Sequence, residues 1–260
     1  MTALLAAEWI KIRSLRSTIW TLALTVALSV GLAFLIGSSF RAGFDSMDAE
    51  RQAQFDPLFA SFYSLTIGQL ALVVLAALVV TGEYSTKTIT VSLTAVPRRG
   101  SFYAGKVLAG GLIAAAVAVV TVPLTFAAAQ AGLGPHGTTF TAGETLEAAV
   151  GACLYLTLIY LLATGVAMML RGSIPTLAVL LPLLFLGSQG LGNVPKVKAV
   201  AQFLPDQAGM LVMHIAGPAG DPRFGRPYGP WTGLAILALW AGVALACGYV
   251  ALRRRDVSPP

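Results

Sequence analysis

Residues 82–106 read GEYSTKTITVSLTAVPRRGSFYAGK. This polar, basic stretch separates two apolar runs, 57–82 and 107–143, and neither contains Asp, Glu, Lys or Arg. A helix crosses a hydrocarbon core with about 20 apolar residues, and both runs are long enough. A polar segment between two spans lies at one membrane face, where something soluble can reach it. On this reading the chain is an all-α integral membrane protein.

Composition agrees. Of 260 residues, 57% are hydrophobic and 11% are charged, and the mean hydropathy is +0.79. Soluble domains carry about 25% charged residues. The isoelectric point of about 9.6 does not indicate nucleic-acid binding, because the basic residues lie at the ends of apolar runs, where they set orientation. Cys153 and Cys247 both fall inside apolar runs. On the topology below they differ in depth by roughly 16 Å at 1.5 Å per residue, too far to bridge. Lys11, Arg13 and Arg16 precede the charge-free run 17–40. That run exceeds the roughly 7–15 residues of a secretory core, so it reads as a retained first span.

Six charge-free runs are visible: 17–40, 57–82, 107–143, 148–170, 172–195 and 227–252. They predict six transmembrane helices in a single transmembrane domain over 1–260, the third occupying 107 to about 130. The fourth and fifth meet at a tight hairpin around Arg171-Gly172. Pro123 and Pro182 lie within spans and predict kinks. Leu5, Trp9 and Ile12 follow helical spacing with Lys11, Arg13 and Arg16 between them, which suits an interfacial helix over 1–16. A solvated basic leader that only orients the first span is the plainer reading of the same residues.

With both termini inside, the inner segments hold eleven basic residues against three acidic, and the outer segments six against eight. This bias makes residues 82–106 cytoplasmic. The longest outer connection, 192–228, is rich in Gly and Pro but contains the apolar patch 210–215, which is expected to dip into the outer interface. No internal repeat of the kind that builds many secondary transporters is visible.

Chemistry of the chain's own is not indicated. None of the six predicted spans contains Asp, Glu, Lys, Arg or His, the residues that mark ion paths and intramembrane catalysis. Gln69, Gln130, Thr157, Tyr160 and Gln189 suit hydrogen bonding between helices. His136 and His214 lack a second ligand at metal spacing. Residues 81–88, TGEYSTKT, end like a phosphate loop, but Thr81 and Thr86 stand where that loop needs glycine. Any ATP is therefore expected on another chain.

Across 86–96 the periodicity fits two structures. Ile89, Leu93 and Val96 share one helix face, while Thr88, Thr90, Ser92 and Thr94 alternate with apolar residues as in a strand. A strand has no partner nearby. An acidic, capping start at Glu83, Ser85 and Thr86 and a stop at Pro97 favour a short helix.

Gly82-Glu83-Tyr84, Thr88-Ile89, Leu93, Pro97-Arg98-Arg99 and Lys106 resemble the first cytoplasmic loop of bacterial ABC-transporter permeases of the type-2 exporter class. Lys87 departs from it, since many relatives carry Gly there. The likeness extends to the basic interfacial N-terminus, six spans and a long outer connection before the last span. It implies a coupling helix between spans two and three that docks on a separate ABC ATPase subunit. Ile89 and Leu93 would be its apolar contacts, Glu83 and Arg98 charged contacts at its ends, and Lys106 an anchor for the next span. Tyr84, Thr88 and Pro97 belong to the same motif. The plainer reading is that Glu83, Arg98, Arg99 and Lys106 only orient the spans.

The resemblance further implies a permease in the bacterial inner membrane, not itself an enzyme, paired with a second permease subunit as homo- or heterodimer. It would hold no cofactor, leaving ATP and magnesium to the partner ATPase, and would contact lipid but no nucleic acid. The rival readings are a membrane anchor or immunity protein without transport, and an intramembrane enzyme.

Overall fold

The computed structural model describes residues 16–86, 88–89, 98–140, 143–188, 194, 196–215 and 225–254. In chain order the helices are α1 (Arg16–Gly43), α2 (Ala49–Ala53), α3 (Pro57–Phe62), α4 (Leu65–Ser85), α5 (Arg99–Leu133), α6 (Gly143–Leu170), α7 (Ser173–Ser188), α8 (Lys198–Ala201), α9 (Pro205–Gly209) and α10 (Pro230–Arg254). Among the described residues there is no strand, as the charge-free runs require. Local signals set several starts. The Asp48 carboxylate accepts the Arg51 N–H at 2.8 Å, and Asp56 accepts the Leu58 N–H at 2.8 Å with Pro57 at the first helical position. Both are N-caps of the ordinary kind.

Five helical stretches are long and apolar enough to cross a membrane: Ser17–Ser46, Pro57–Ser85, Arg99–His136, Gly143–Leu170 and Pro230–Arg254. The fifth expected span differs. Of run 172–195 the described part is α7, 16 residues or about 24 Å of helix against a hydrocarbon core of about 30 Å, and residues 189–193 and 195 lie outside the described residues. The third span also differs, since α5 begins at Arg99 and not at 107, and α4 runs on to Ser85. The bend between spans two and three is thereby shortened to 86–98. Residues 1–15, where the interfacial helix is expected, lie outside the described residues, as do Lys87 and 90–97 of the expected coupling helix.

The span containing α4 is the most buried of the five, at 72%, and the one containing α1 the least, at 17%. The core gathers Phe62, Leu65, Leu72 and Leu75 with Tyr155, Leu156 and Ile159 of α6, Leu180 and Leu184 of α7, and Met213. Around it α1 packs on α5 and α10 on α6. Outward-facing positions stay apolar: Trp20 is 75% exposed, Leu112 63%, Ile174 81% and Leu239 68%. Large apolar side chains aimed outward on several helices suit a lipid surround.

Small residues let the helices approach. A Cβ on Gly37 would sit 2.5 Å from the Ala129 carbonyl oxygen, and one on Gly132 2.6 Å from that of Phe34. On the other flank, a Cβ on Gly165 would sit 2.5 Å from the Ala244 carbonyl carbon. Contacts this close are the device membrane helices use in place of a hydrophobic drive. Buried amides add to them. Tyr155 donates to Gln69 Oε1 at 2.6 Å, and Gln130 Nε2 donates to Ser61 at 2.8 Å. Thr157 instead donates to Cys153 of its own helix, and Gln189 lies outside the described residues. Cys153 and Cys247 are free thiols.

In the connection before α10, the apolar patch 210–215 is packed on the bundle. Residues Met210, Val212, Met213 and Ile215 are buried, and the 3-10 turn Met210–Met213 lies against α6 and α10. His214 follows it with φ 61° and meets Asp56, the cap of α3, at 2.8 Å between Nδ1 and Oδ2.

Candidate functional site: the bend end of the bundle

The last turn of α4 brings Glu83 inward, and the second turn of α5 brings Lys106 to it. Lys106 Nζ lies 2.8 Å from Glu83 Oε1, and both side chains are 2% exposed. The Phe102 ring closes one side of the ammonium, at 5.8 Å. The predicted spans hold no Asp, Glu, Lys, Arg or His, but the helices extend past them to include Glu83 and Lys106. Both charged residues lie inside helices, each hidden from the charge-free runs because it falls just past an apolar boundary. Two such charges persist out of water only as a close pair.

Tyr84, one residue on, has its ring 5.5 Å from the Arg171 guanidinium, and its hydroxyl donates to Met168 Sδ at 3.8 Å. Arg171 closes α6 with φ 55°, so the expected hairpin around Arg171-Gly172 is present. From there Arg171 Nη2 donates to the Ala251 carbonyl at 3.0 Å. Arg99 Nη1 donates to the carbonyls of Leu252 and Arg253, both at 3.0 Å. The last carbonyls of a helix have no partner within it, and two guanidinium groups also suit the negative end of its dipole. Tyr103 adds a hydrogen bond to the Leu245 carbonyl at 2.6 Å. At one end of the bundle, therefore, α4 is fastened to α5, and α5 and α6 to the end of α10.

Ile89 seats the start of the bend. It is 2% exposed and packs in a cluster with Val80, Phe102, Tyr103, Met168 and Leu252. Beside it Thr88 and Arg98 are exposed, and the Thr86 and Thr88 hydroxyls share a hydrogen bond of 2.9 Å. Leu93 and Pro97 lie outside the described residues. Of the motif, then, Glu83, Tyr84, Ile89 and Lys106 face the chain's own core, while Thr88 and Arg98 face outward. Sequence reasoning placed Arg99 in the motif without a role of its own, counted Arg171 towards orientation and the hairpin, and did not single out Tyr103. An Arg beside a helix-ending Gly was the available signal for Arg171. Among the described residues, no group of three or more His, Cys, Asp or Glu side chains could hold a metal ion.

A multi-pass, all-helical bundle fastened at one end by buried ionic and capping contacts defines an integral membrane protein. The chain belongs to the ABC-2 family of transporter proteins, whose profile matches residues 4–187. No curated protein matches the chain.

Proposed function

We propose that this chain is the permease subunit of an ATP-driven exporter in a bacterial inner membrane. In this reading a separate ABC ATPase binds and hydrolyses ATP with magnesium, and docks at the cytoplasmic bend 86–98. A second permease subunit, identical or related, completes the pathway, since few spans leave little room for one inside a single chain. Family membership supports transport as the class of function. The observation that carries the coupling role is the buried Glu83–Lys106 pair at the base of the bend. A push from a soluble partner reaches the spans only through a stiff joint, and a desolvated ion pair between two helices supplies one. Thr88, Leu93, Pro97 and Arg98 form the docking surface on this account. Ile89, Glu83, Tyr84 and Lys106 hold it to the spans.

The experiment is affinity purification of the tagged chain co-expressed with the ABC ATPase encoded beside it, with Leu93→Asp and Arg98→Glu as variants. The wild type is expected to retain the ATPase. Each variant is expected to insert normally and lose it. Retention of the ATPase by both variants, at wild-type yield, would remove the bend as the docking site.

A further inference from the structure

Asp206 lies at the opposite end of the bundle from the Glu83–Lys106 pair and takes no part in the coupling reading. It sits in α9, in the connection before α10, and is 0% exposed. Neither carboxyl oxygen completes a hydrogen bond of good geometry, and the donors near it are the Gln207 amide and side chain and Asp206's own N–H. Its surroundings are closed. Gly209 of the same short helix lies against Leu237 and Tyr155, and a Cβ there would stand 2.7 Å from each. Pro205, Gln207 and Ala208 are buried with it, and Met210, Val212 and Met213 follow in the turn packed on α6 and α10. Residues 205–213 thus form a plug seated in the end of the bundle, carrying one carboxyl inward with it.

A carboxylate in such a place has no water and only poorly aligned donors to stabilise its charge, whereas a carboxylic acid tolerates it. We propose that Asp206 is a proton-binding site, and that seating of the 205–213 plug is coupled to uptake of one proton by its carboxyl. When the plug leaves its seat, water reaches the group, it ionises as an ordinary aspartate, and the proton passes to solvent on that side. No other reactant is needed.

The groups that face Asp206 do not offer an alternative titration. From α6 comes Tyr155, which is bound to Gln69 of α4 and does not lie in a charge-compensating position. Helix α7 and the turn Met210–Met213 contain no titratable residue. The titratable residues of α10, Cys247, Tyr249, Arg253 and Arg254, occupy its far half. Arg226 reaches the plug at Gln207 Oε1, 3.5 Å away, and His214 beyond the plug is engaged by Asp56. Burial dominates, with the Gln207 amide and side chain and Asp206's own N–H only tempering it, and the acid is pushed up to about 7.

The sign follows from proton counting. Between about pH 4 and 7 the seated state holds a proton that the unseated state does not, so unseating becomes about tenfold easier per pH unit. Above about pH 7 both states are ionised and the dependence levels off. The test is hydrogen exchange of the purified chain in lipid nanodiscs, corrected for intrinsic exchange, with infrared spectroscopy of the same samples. Protection of the 205–213 amides is expected to fall about tenfold per unit from about pH 5 to 7 and then flatten, and Asp206→Asn is expected to abolish that slope. A protonated-acid carbonyl band is expected at about pH 6 in the wild type and not in Asp206→Asn. Should Asp206→Asn fail to fold, isotope-edited infrared on carbon-13 aspartate in the wild type reads the same titration. An aspartate carbonyl band absent at about pH 6, or equal slopes in both proteins, overturns the proposal. Neither readout depends on transport or on an ATPase.

Discussion

Glu83 and Lys106 give up their hydration to meet at 2.8 Å, so the pair is worth little against apolar replacements but much against the loss of one partner. Glu83→Ala is expected to cost about 3–5 kcal/mol, because it leaves a buried ammonium without its counter-charge. Replacing both, as Glu83→Leu with Lys106→Met, is expected to restore most of that loss. Thermal unfolding in detergent reads both, and an unchanged midpoint for the single variant would refute the account. The Asp56–His214 contact is of a different kind, half-exposed and sensitive to pH. The Asp56 hydrogen bond holds His214 protonated above its ordinary range, outweighing burial, with the charges of Asp56, Glu144 and Glu147 assisting. Burial works against ionised Asp56, but the His214 and Leu58 hydrogen bonds and the His214 charge hold its carboxyl below the usual value. The histidine contribution is full below about pH 6.5 and lost as pH rises through the raised value. The aspartate contribution is full above about pH 3.9 and lost as pH falls through the lowered one. The junction is therefore firmest in mildly acid solution. His214→Gln should flatten the fall in unfolding midpoint as pH rises above about 6.5, and a titration of the His214 ring by NMR should show its raised midpoint directly.

At the scale of elements, glycine decides which helix faces touch. Two glycines near the α6–α10 crossing make opposite predictions. Gly165→Ala would drive a methyl to 2.5 Å from the Ala244 backbone, whereas Gly242→Ala meets nothing within 4 Å. Alanine is the better helix former by about 1 kcal/mol, so Gly242→Ala is expected to be neutral or slightly stabilising and Gly165→Ala destabilising. Unfolding midpoints of the two variants check the sign, and equal shifts would contradict the close crossing. Neither glycine is distinguishable in the sequence, since both sit in apolar runs. Hydropathy does locate the spans, because a helix in lipid must be apolar over most of its length. It misplaces their ends wherever a charged residue is satisfied inside the protein: Glu83 and Lys106 read as loop because polarity is a proxy for water, and here the partner is another helix. The described 16 residues of α7 cover only part of run 172–195, which meets the spanning length in composition. Asp206 was counted among surface charges for the same reason. A short helix in a Gly- and Pro-rich connection has no periodicity from which its burial could be read.

Over the whole molecule, the contacts at the bend form a closed circuit. Glu83–Lys106 joins α4 to α5, Arg99 and Tyr103 join α5 to α10, Arg171 joins α6 to α10, and Tyr84 against Arg171 and Met168 joins α4 to α6. Motion of the bend must therefore move four helices together, or break a buried contact. The motif around 82–106 was legible because its polarity interrupts two apolar runs. The division of labour within it was not, since inward and outward side chains share the same residue types. That division yields a separable pair of outcomes. The double replacement Glu83→Leu with Lys106→Met keeps the bend's outward face and is expected to keep the ATPase bound, yet replaces a directional ionic joint by apolar packing that allows sliding. In reconstituted vesicles, nucleotide hydrolysis should then persist while substrate movement per nucleotide falls, roughly tenfold if the joint supplies about 1.4 kcal/mol of the coupling. Leu93→Asp, acting at the docking face, should instead lose the ATPase and its hydrolysis together. If the double variant moved substrate as efficiently as the wild type, the ion pair would be a device of stability alone and the push would have to travel through Ile89 and the arginine caps.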